Sequence, residues 1–285
     1  MVTGPELTSP RAPRVKAAQR LAKRAFRARD RRFLAEGPQA VREATLRPGT
    51  VLELFVTADA ADRHPEIVAA AATGGAAVHL VNGAVMSALT QTVTPQGLVA
   101  VCGQLDVPLA EVLGPAPRLL AVLAHARDPG NAGTVVRAAD AAGAGGVLLT
   151  GDSVDPYNGK CVRASAGSVF HLPVSVGDRV EDDLPALRAA GLQVLAADGH
   201  ADLDLDEAAD TGLLAAPTAW VFGNEAWGLP EQTRALADAV VKVPIHGRAF
   251  CHPGEPTDGA GSWRSAQRTY ADQPVGRVRC ARAEA

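Results

Sequence analysis

Read for hydrophobic period, the chain opens with too many breakers for a regular element. Gly4, Pro5, Pro10 and Pro13 all fall within residues 1–14, which are expected to be disordered. Order is expected from Val15, first as a basic helix. Phe33-Leu34-Ala35-Glu36-Gly37 then leads into a second helix with Pro38 in its first turn, where the missing N–H does no harm. Residues 51–57 are β-branched and apolar and read as a buried strand, 64–72 as a helix and 78–81 as a short strand. A turn signal at Thr92-Val93-Thr94-Pro95-Gln96-Gly97 delivers 98–102 as another strand. Two prolines and a glycine in Gly114-Pro115-Ala116-Pro117 make the stiffest break in the pattern, so 15–113 reads as one small α/β domain and 114–117 as a linker.

Beyond the linker the alternation becomes regular. Strands are expected at 118–124, 145–149, 168–174, 193–197, 218–222 and 239–243, and helices at 131–142, 182–190 and 230–236. Continuously apolar strands alternating with helices imply a parallel sheet covered on both faces, giving a second α/β domain over 118–249. Ligands of such sheets sit beyond the carboxyl ends of the strands. From Phe250 the composition turns to Pro, Gly and Arg without any period, and 250–285 is expected to be disordered.

Composition adds exclusions. Apolar residues make up 47% of the 285, yet none of their runs approaches the roughly 18 positions of a membrane helix. No apolar stretch follows the N-terminal cations as in a secretory signal, so the expected compartment is the cytoplasm. Cys102, Cys161, Cys251 and Cys280 form no C-x-x-C pair and read as ordinary thiols. His246, Cys251 and His252 lack metal-ligand spacing, so no metal is expected. The net charge of −3 hides a concentration of cations: residues 11–32 hold ten Lys or Arg against one acid, Asp30. Clustered cations favour a polyanion through counterion release, with Arg20, Lys23, Arg24 and Arg27 as candidate contacts. A solvated helix face accounts for the same residues, so charge alone leaves both readings open.

Candidate chemistry concentrates at three predicted strand ends. After the first, a turn at Asp128-Pro129-Gly130 leads into the helix that starts at Asn131, with Arg137 six residues after Asn131, less than two turns away, so its long arm can lean back toward the N-terminal amides. A capped surface helix carrying a solvated arginine fits equally. After the second, Gly223-Asn224-Glu225-Ala226-Trp227-Gly228 puts a glycine where backbone can approach a ligand, and a carboxylate near a helix start. After the third comes Lys242-Val243-Pro244-Ile245-His246-Gly247. Gly143-Ala144-Gly145-Gly146 evokes a dinucleotide loop, but it follows a helix and precedes a strand, the reverse of that fingerprint, and reads as a helix stop.

At this point the sequence resembles a known family. Residues 131–143 look like motif 1, and Phe222-Gly223-Asn224-Glu225-Ala226-Trp227-Gly228-Leu229 like motif 2, of the SpoU (TrmH) family of RNA 2'-O-ribose methyltransferases in the SPOUT superfamily. Stretches of 33–44 and 92–101 resemble the ribosomal-protein-like RNA-binding domain that many members carry. The resemblance implies a small N-terminal α/β RNA-binding domain, a SPOUT α/β parallel-sheet domain with a trefoil knot, bound S-adenosylmethionine, and a homodimer. It implies catalytic roles for Asn131, Arg137 and Glu225, and cofactor contacts from Ala197, Asp198, Gly199, Gly223, Asn224, Gly228, Ile245 and Gly247. It also turns the polyanion into structured RNA, ribosomal RNA before transfer RNA, and adds Lys160 and Arg163, in a polar loop over 157–167, to the RNA contacts. The acidic stretch 202–210 is expected to face away from phosphates. Motif 3, a Ser-Leu-Asn sequence followed by a long Ala/Val-rich helix, is not found after Ala249, which points to a shifted reading frame or a replaced C-terminus. An RNA-binding protein that has lost methyl transfer is the alternative.

Overall fold

The structure is a computed structural model that describes residues 5–224 and 226–244. In chain order the elements are α1 (Pro13–Arg20), α2 (Arg24–Asp30), β1 (Arg32–Glu36), α3 (Pro38–Thr45), β2 (Val51–Val56), α4 (Ala58–Arg63), α5 (Pro65–Thr73), β3 (Ala77–Leu80), α6 (Gly83–Leu89) and β4 (Leu98–Gly103). They continue with α7 (Leu109–Leu113), β5 (Leu119–Ala124), α8 (Pro129–Ala141), β6 (Val147–Thr150), α9 (Gly159–Ala164), β7 (Val174–Val176), α10 (Val180–Ala189) and β8 (Gln193–Ala197). The last are β9 (Leu203–Asp204), α11 (Leu205–Asp210), β10 (Thr218–Phe222), α12 (Glu231–Arg234) and β11 (Ala239–Lys242). The expected tail over 250–285 lies outside the described residues.

The chain forms two compact units that interleave along the sequence. One takes the residues up to Val107 together with Asp128–Arg137 and Val154–Val174; the other takes Pro108–Arg127, Ala138–Ser153 and the chain from Ser175. The first unit holds a four-stranded sheet in the order β1-β4-β2-β3, antiparallel except for β2 with β3. Its core includes Val15 and Ala18 from α1 with Leu21 just after it, and Val85, Met86 and Leu89 from α6, at the three- and four-residue spacing that keeps one helix face inward. The N-terminal segment differs from the expected disorder: Leu7 N–H donates to Leu80 O at 2.8 Å and Leu7 forms a parallel bridge with Val81, because β3 is an edge strand with free backbone groups.

The segment 154–174 belongs to this unit because Phe33 of β1 packs on Tyr157, ring centroids 4.6 Å apart, and on Phe170 at 5.9 Å. The expected loop over 157–167 contains α9, which buries Cys161 and Val162, and burial pushes the Cys161 thiol up to about 12. The expected strand over 168–174 is instead a 3₁₀ turn at Ser168–Phe170, with β7 starting only at Val174. A short apolar run interrupted by Pro173 has no period that separates the two.

The second unit is built on a seven-stranded sheet ordered β7-β6-β5-β10-β8-β11-β9, and its registered pairs are parallel. The strands β5, β8 and β10 are almost wholly buried, as their uninterrupted apolar sequences require. From β5 the order proceeds outward to β6 and β7, whereas β10 and β8 lie on its other side, so the direction reverses between β5 and β10. The helix stop at Gly143 is present: Gly143 N–H donates to Asp140 O at 3.0 Å and Ala144 N–H to Ala139 O at 2.9 Å.

Candidate active site

The crevice at a switch of strand order is where open α/β sheets bind ligands. Here Leu123 of β5 is in register with Phe222 of β10, and Phe222 with Ala197 of β8, so both motif loops and the 198–200 loop leave adjacent strands at one level. Val241 of β11 is in register with Ala197, which brings the third strand end to the same edge.

The motif 2 loop is tightly folded. Asn224 N–H donates to Gly228 O at 2.9 Å and Gly228 N–H returns a bond to Asn224 O at 2.8 Å. Ala226 N–H donates to Asn224 Oδ1 at 2.9 Å, and Asn224 Nδ2 donates to the carbonyl of His125 at 3.3 Å, tying this loop to the one that follows β5. Asn224 is thereby buried, with its polar groups holding loop shape rather than open to a ligand. Gly223 is needed for the same closure, since a Cβ there would stand 2.5 Å from the carbonyl group of Gly228 and 2.7 Å from Leu229 N. His125 has a φ of 59°, a region that L side chains rarely adopt, which marks strain at the end of β5. Trp227 is 58% exposed on this loop. Glu225, Ile245 and Gly247 lie outside the described residues.

In the 198–200 loop the Asp198 carboxylate is buried. It accepts from His200 N–H at 3.0 Å and faces Arg234 Nη1 at 3.2 Å, while Asp198 N–H reaches Val241 O at 3.1 Å. A concavity of about 400 Å³ opens here, lined among others by Asp198, His200, Leu203, Arg234 and Val240. That is within the about 300–1,000 Å³ of small-molecule sites. The walls offer apolar surface, the carboxylates of Asp198 and Asp202 and the guanidinium of Arg234, groups that could hold a nucleoside-sized cofactor with a charged end, and β8 and β10 end side by side at Ala197 and Phe222.

Motif 1 opens α8 two residues earlier than expected. Asp128 precedes Pro129 and its Oδ1 accepts the Asn131 N–H at 2.9 Å, so it is the helix cap; Lys160 Nζ sits 2.6 Å from its other oxygen. Burial raises the Asp128 pKa, but Lys160 and the N–H groups of Asn131 and Gly130 outweigh it and hold the carboxyl below its ordinary range. Asp at the cap with Pro in the first turn was a readable signal. Ala132, Val135, Val136 and Ala139 are buried and Arg137 is exposed on the opposite face. Gly133 lets α8 approach α9, because a Cβ there would lie 2.3 Å from Cys161 O. Ser153, also missed, is buried and its hydroxyl accepts from Ala126 N–H at 3.1 Å, bracing the loop after β5.

Of the candidate RNA contacts, Arg20, Lys23 and Arg24 are exposed. Arg27 is a correction: it is only 3% exposed and pairs with Asp155 through Nε at 2.7 Å and Nη2 at 2.6 Å, which leaves it no path to a phosphate. Lys160 is engaged by Asp128, and Arg163 Nη1 lies 3.2 Å from the Glu36 carboxylate. Burial raises the Glu36 pKa against the lowering pull of Arg163. Among the described residues, no cluster of three or more His, Cys, Asp or Glu is placed to hold a metal, and no helix is long and apolar enough to cross a membrane.

Comparison with known proteins agrees with this geometry. The profile of the SpoU rRNA Methylase family matches residues 118–251, and that of the MRM3-like substrate binding domain matches residues 12–100. The 23S rRNA (guanosine(2553)-2'-O)-methyltransferase RlmP of Bacillus subtilis is 31% identical over 248 residues, 86% of this chain and 92% of that protein. The crystal structure of an AdoMet-bound rRNA methyltransferase from Sinorhizobium meliloti superposes with a TM-score of 0.78 at 30% identity, covering 94% of this chain and 97% of that one. The SpoU methyltransferase AviRb from Streptomyces viridochromogenes, in complex with AdoMet, gives 0.76 at 26% identity over 92% and 99% of the two chains. With the two motif loops joined at the switch point and relatives similar along nearly the whole length, the chain belongs to the SpoU family of rRNA methylases.

Proposed function

We propose that this protein transfers the methyl group of S-adenosylmethionine to a ribose 2'-hydroxyl of ribosomal RNA. The observation that carries this reading is the hydrogen bond from Asn224 to His125, which locks the motif 2 loop to the loop entering motif 1 at the switch of strand order. When bound, the cofactor supplies an electrophilic methyl on a positively charged sulfur. Ala197, Asp198, Gly199, Gly223, Gly228, Ile245 and Gly247 are assigned to holding it, with Asn224 shaping their loop. Asn131 and Arg137 orient the ribose hydroxyl, and Glu225 fixes that polar cluster. Such alignment contributes several kcal/mol to lowering the barrier. The Arg137 guanidinium stabilises the negative charge that develops on the ribose oxygen as the hydroxyl proton passes to solvent.

The family relationship supports a division of labour in which 15–113 binds RNA, 114–117 links, and 118–249 carries the transfer chemistry. Arg20, Lys23 and Arg24 meet phosphates directly, whereas Lys160 and Arg163 do so by exchanging Asp128 and Glu36 for them. The protein acts in the cytoplasm as a homodimer, which sedimentation at micromolar concentration checks. A second reading, RNA binding without transfer, is favoured by one observation: the family match ends at residue 251 and no Ser-Leu-Asn sequence follows.

The two separate cleanly. Full-length protein titrated with S-adenosylmethionine in a calorimeter should bind it, and labelled methyl should appear in ribosomal RNA at alkali-resistant positions. Arg137→Ala and Glu225→Ala are each expected to slow transfer by about 10²-fold or more while cofactor affinity holds. Absence of both binding and label leaves only the second reading.

A further inference from the structure

The elbow between α1 and α2 is held from inside. Arg27 Nη1 donates to the carbonyls of Leu21 and Ala22 at 2.9 and 2.8 Å, while its other nitrogens pair with Asp155. With Arg27 turned inward, its neighbours carry the outer surface. Phe26 is half-buried, the Arg20 guanidinium carbon lies 5.8 Å from its ring centroid and that of Arg29 lies 4.8 Å away. Arg29 follows Phe26 by three residues, so they share a helix face, whereas Arg20 arrives from the preceding helix. Lys23 and Arg24 are exposed in the same elbow, and the local acid, Asp30, is bonded by Arg29 at 2.7 Å.

A ring flanked by guanidinium groups is a flat, cationic surface held together by cation–π attraction. Nucleobases stack on aromatic rings and on guanidinium planes, and they do so when splayed out of a helix, since a duplex keeps its base faces covered. The surrounding Lys23 and Arg24 suit the phosphates on either side of such a base. We propose that Phe26, with Arg20 and Arg29, is a stacking platform for one unpaired nucleobase of the substrate RNA, an assignment that rests on the RNA-methyltransferase reading.

Binding of full-length protein to a fluorescent RNA hairpin with an open loop, and to a fully paired duplex of equal length, tests this by anisotropy. Phe26→Leu keeps apolar volume but removes the π face. It should weaken binding to the hairpin about tenfold and to the duplex by less than about twofold, and Phe26→Trp should recover hairpin binding. The slope of affinity against salt should be unchanged by Phe26→Leu and shallower by nearly one in Arg20→Ala. Equal losses on both RNAs, no loss on either, or a Trp variant no better than the Leu variant overturns the platform. Methyl transfer by the same wild-type preparation distinguishes the two ideas. Selective stacking without transfer removes the enzymatic reading alone, and transfer without the Phe26 signature removes the platform alone.

Discussion

Truncating Arg27 leaves the Asp155 carboxylate buried without a counter-charge and frees the Leu21 and Ala22 carbonyls from their donor. Breaking one side of such a pair costs about 3–5 kcal/mol, so Arg27→Ala should lower the urea midpoint strongly, whereas Arg24→Ala, at an exposed site, should leave it nearly unchanged. Gly223→Ala carries a different penalty, because its Cβ would meet the backbone of Gly228 rather than a yielding side chain. We expect that variant to lose cofactor binding in calorimetry, with its loop displaced. Motif residues were legible because they form short, ordered strings. The fate of Arg27 was not, since one arginine among ten cations looks like the rest until a partner 128 positions away is known.

Helix α8 depends on its first residue pairings. Asp128 caps it and is itself held by Lys160, so its folded pKa lies below the unfolded value near 4. The sign follows: this stabilisation is fully present above about pH 4 and fades as pH falls through the lower folded pKa. Asp128→Asn keeps a capping oxygen but loses the charge, and should flatten this acid dependence in pH-dependent thermal melts; Asp128→Ala should cost about 1 kcal/mol at neutral pH. Gly133→Ala drives a Cβ against the Cys161 carbonyl and should destabilise by about 1–3 kcal/mol. Strands β8 and β10 matched expectation to the residue, because continuous apolar runs between turn residues leave little choice. The run from Ser168 did not, for Val169, Phe170 and Leu172 bury equally well in a tight turn.

Across the whole molecule, hydrophobic pattern and proline placement put the expected boundary near Gly114; the family profiles cover residues 12–100 and 118–251. Compactness divides the chain differently, because packing of Phe33 on Tyr157 and Phe170 is invisible to any reading that moves along the sequence one window at a time. The sequence after Ala249 poses a molecular question with a direct answer. Resequencing the 3' end of the source gene should reveal, in another frame, codons for Ser-Leu-Asn followed by an apolar helix; an unbroken frame without them would mean that the altered C-terminus is native.

The Arg27–Asp155 pair also sets an order of events during synthesis. Arg27 emerges from the ribosome early, yet its counter-ion is 128 residues behind, and the aromatic rings of Tyr157 and Phe170 that cover Phe33 also emerge only after the linker. A nascent chain halted at the linker therefore presents a bare aromatic surface and an unmatched inward cation, a state suited to chaperone capture rather than to independent folding. A fragment ending at residue 113, expressed alone, should be aggregation-prone, and supplying 154–174 in the same chain should restore its solubility.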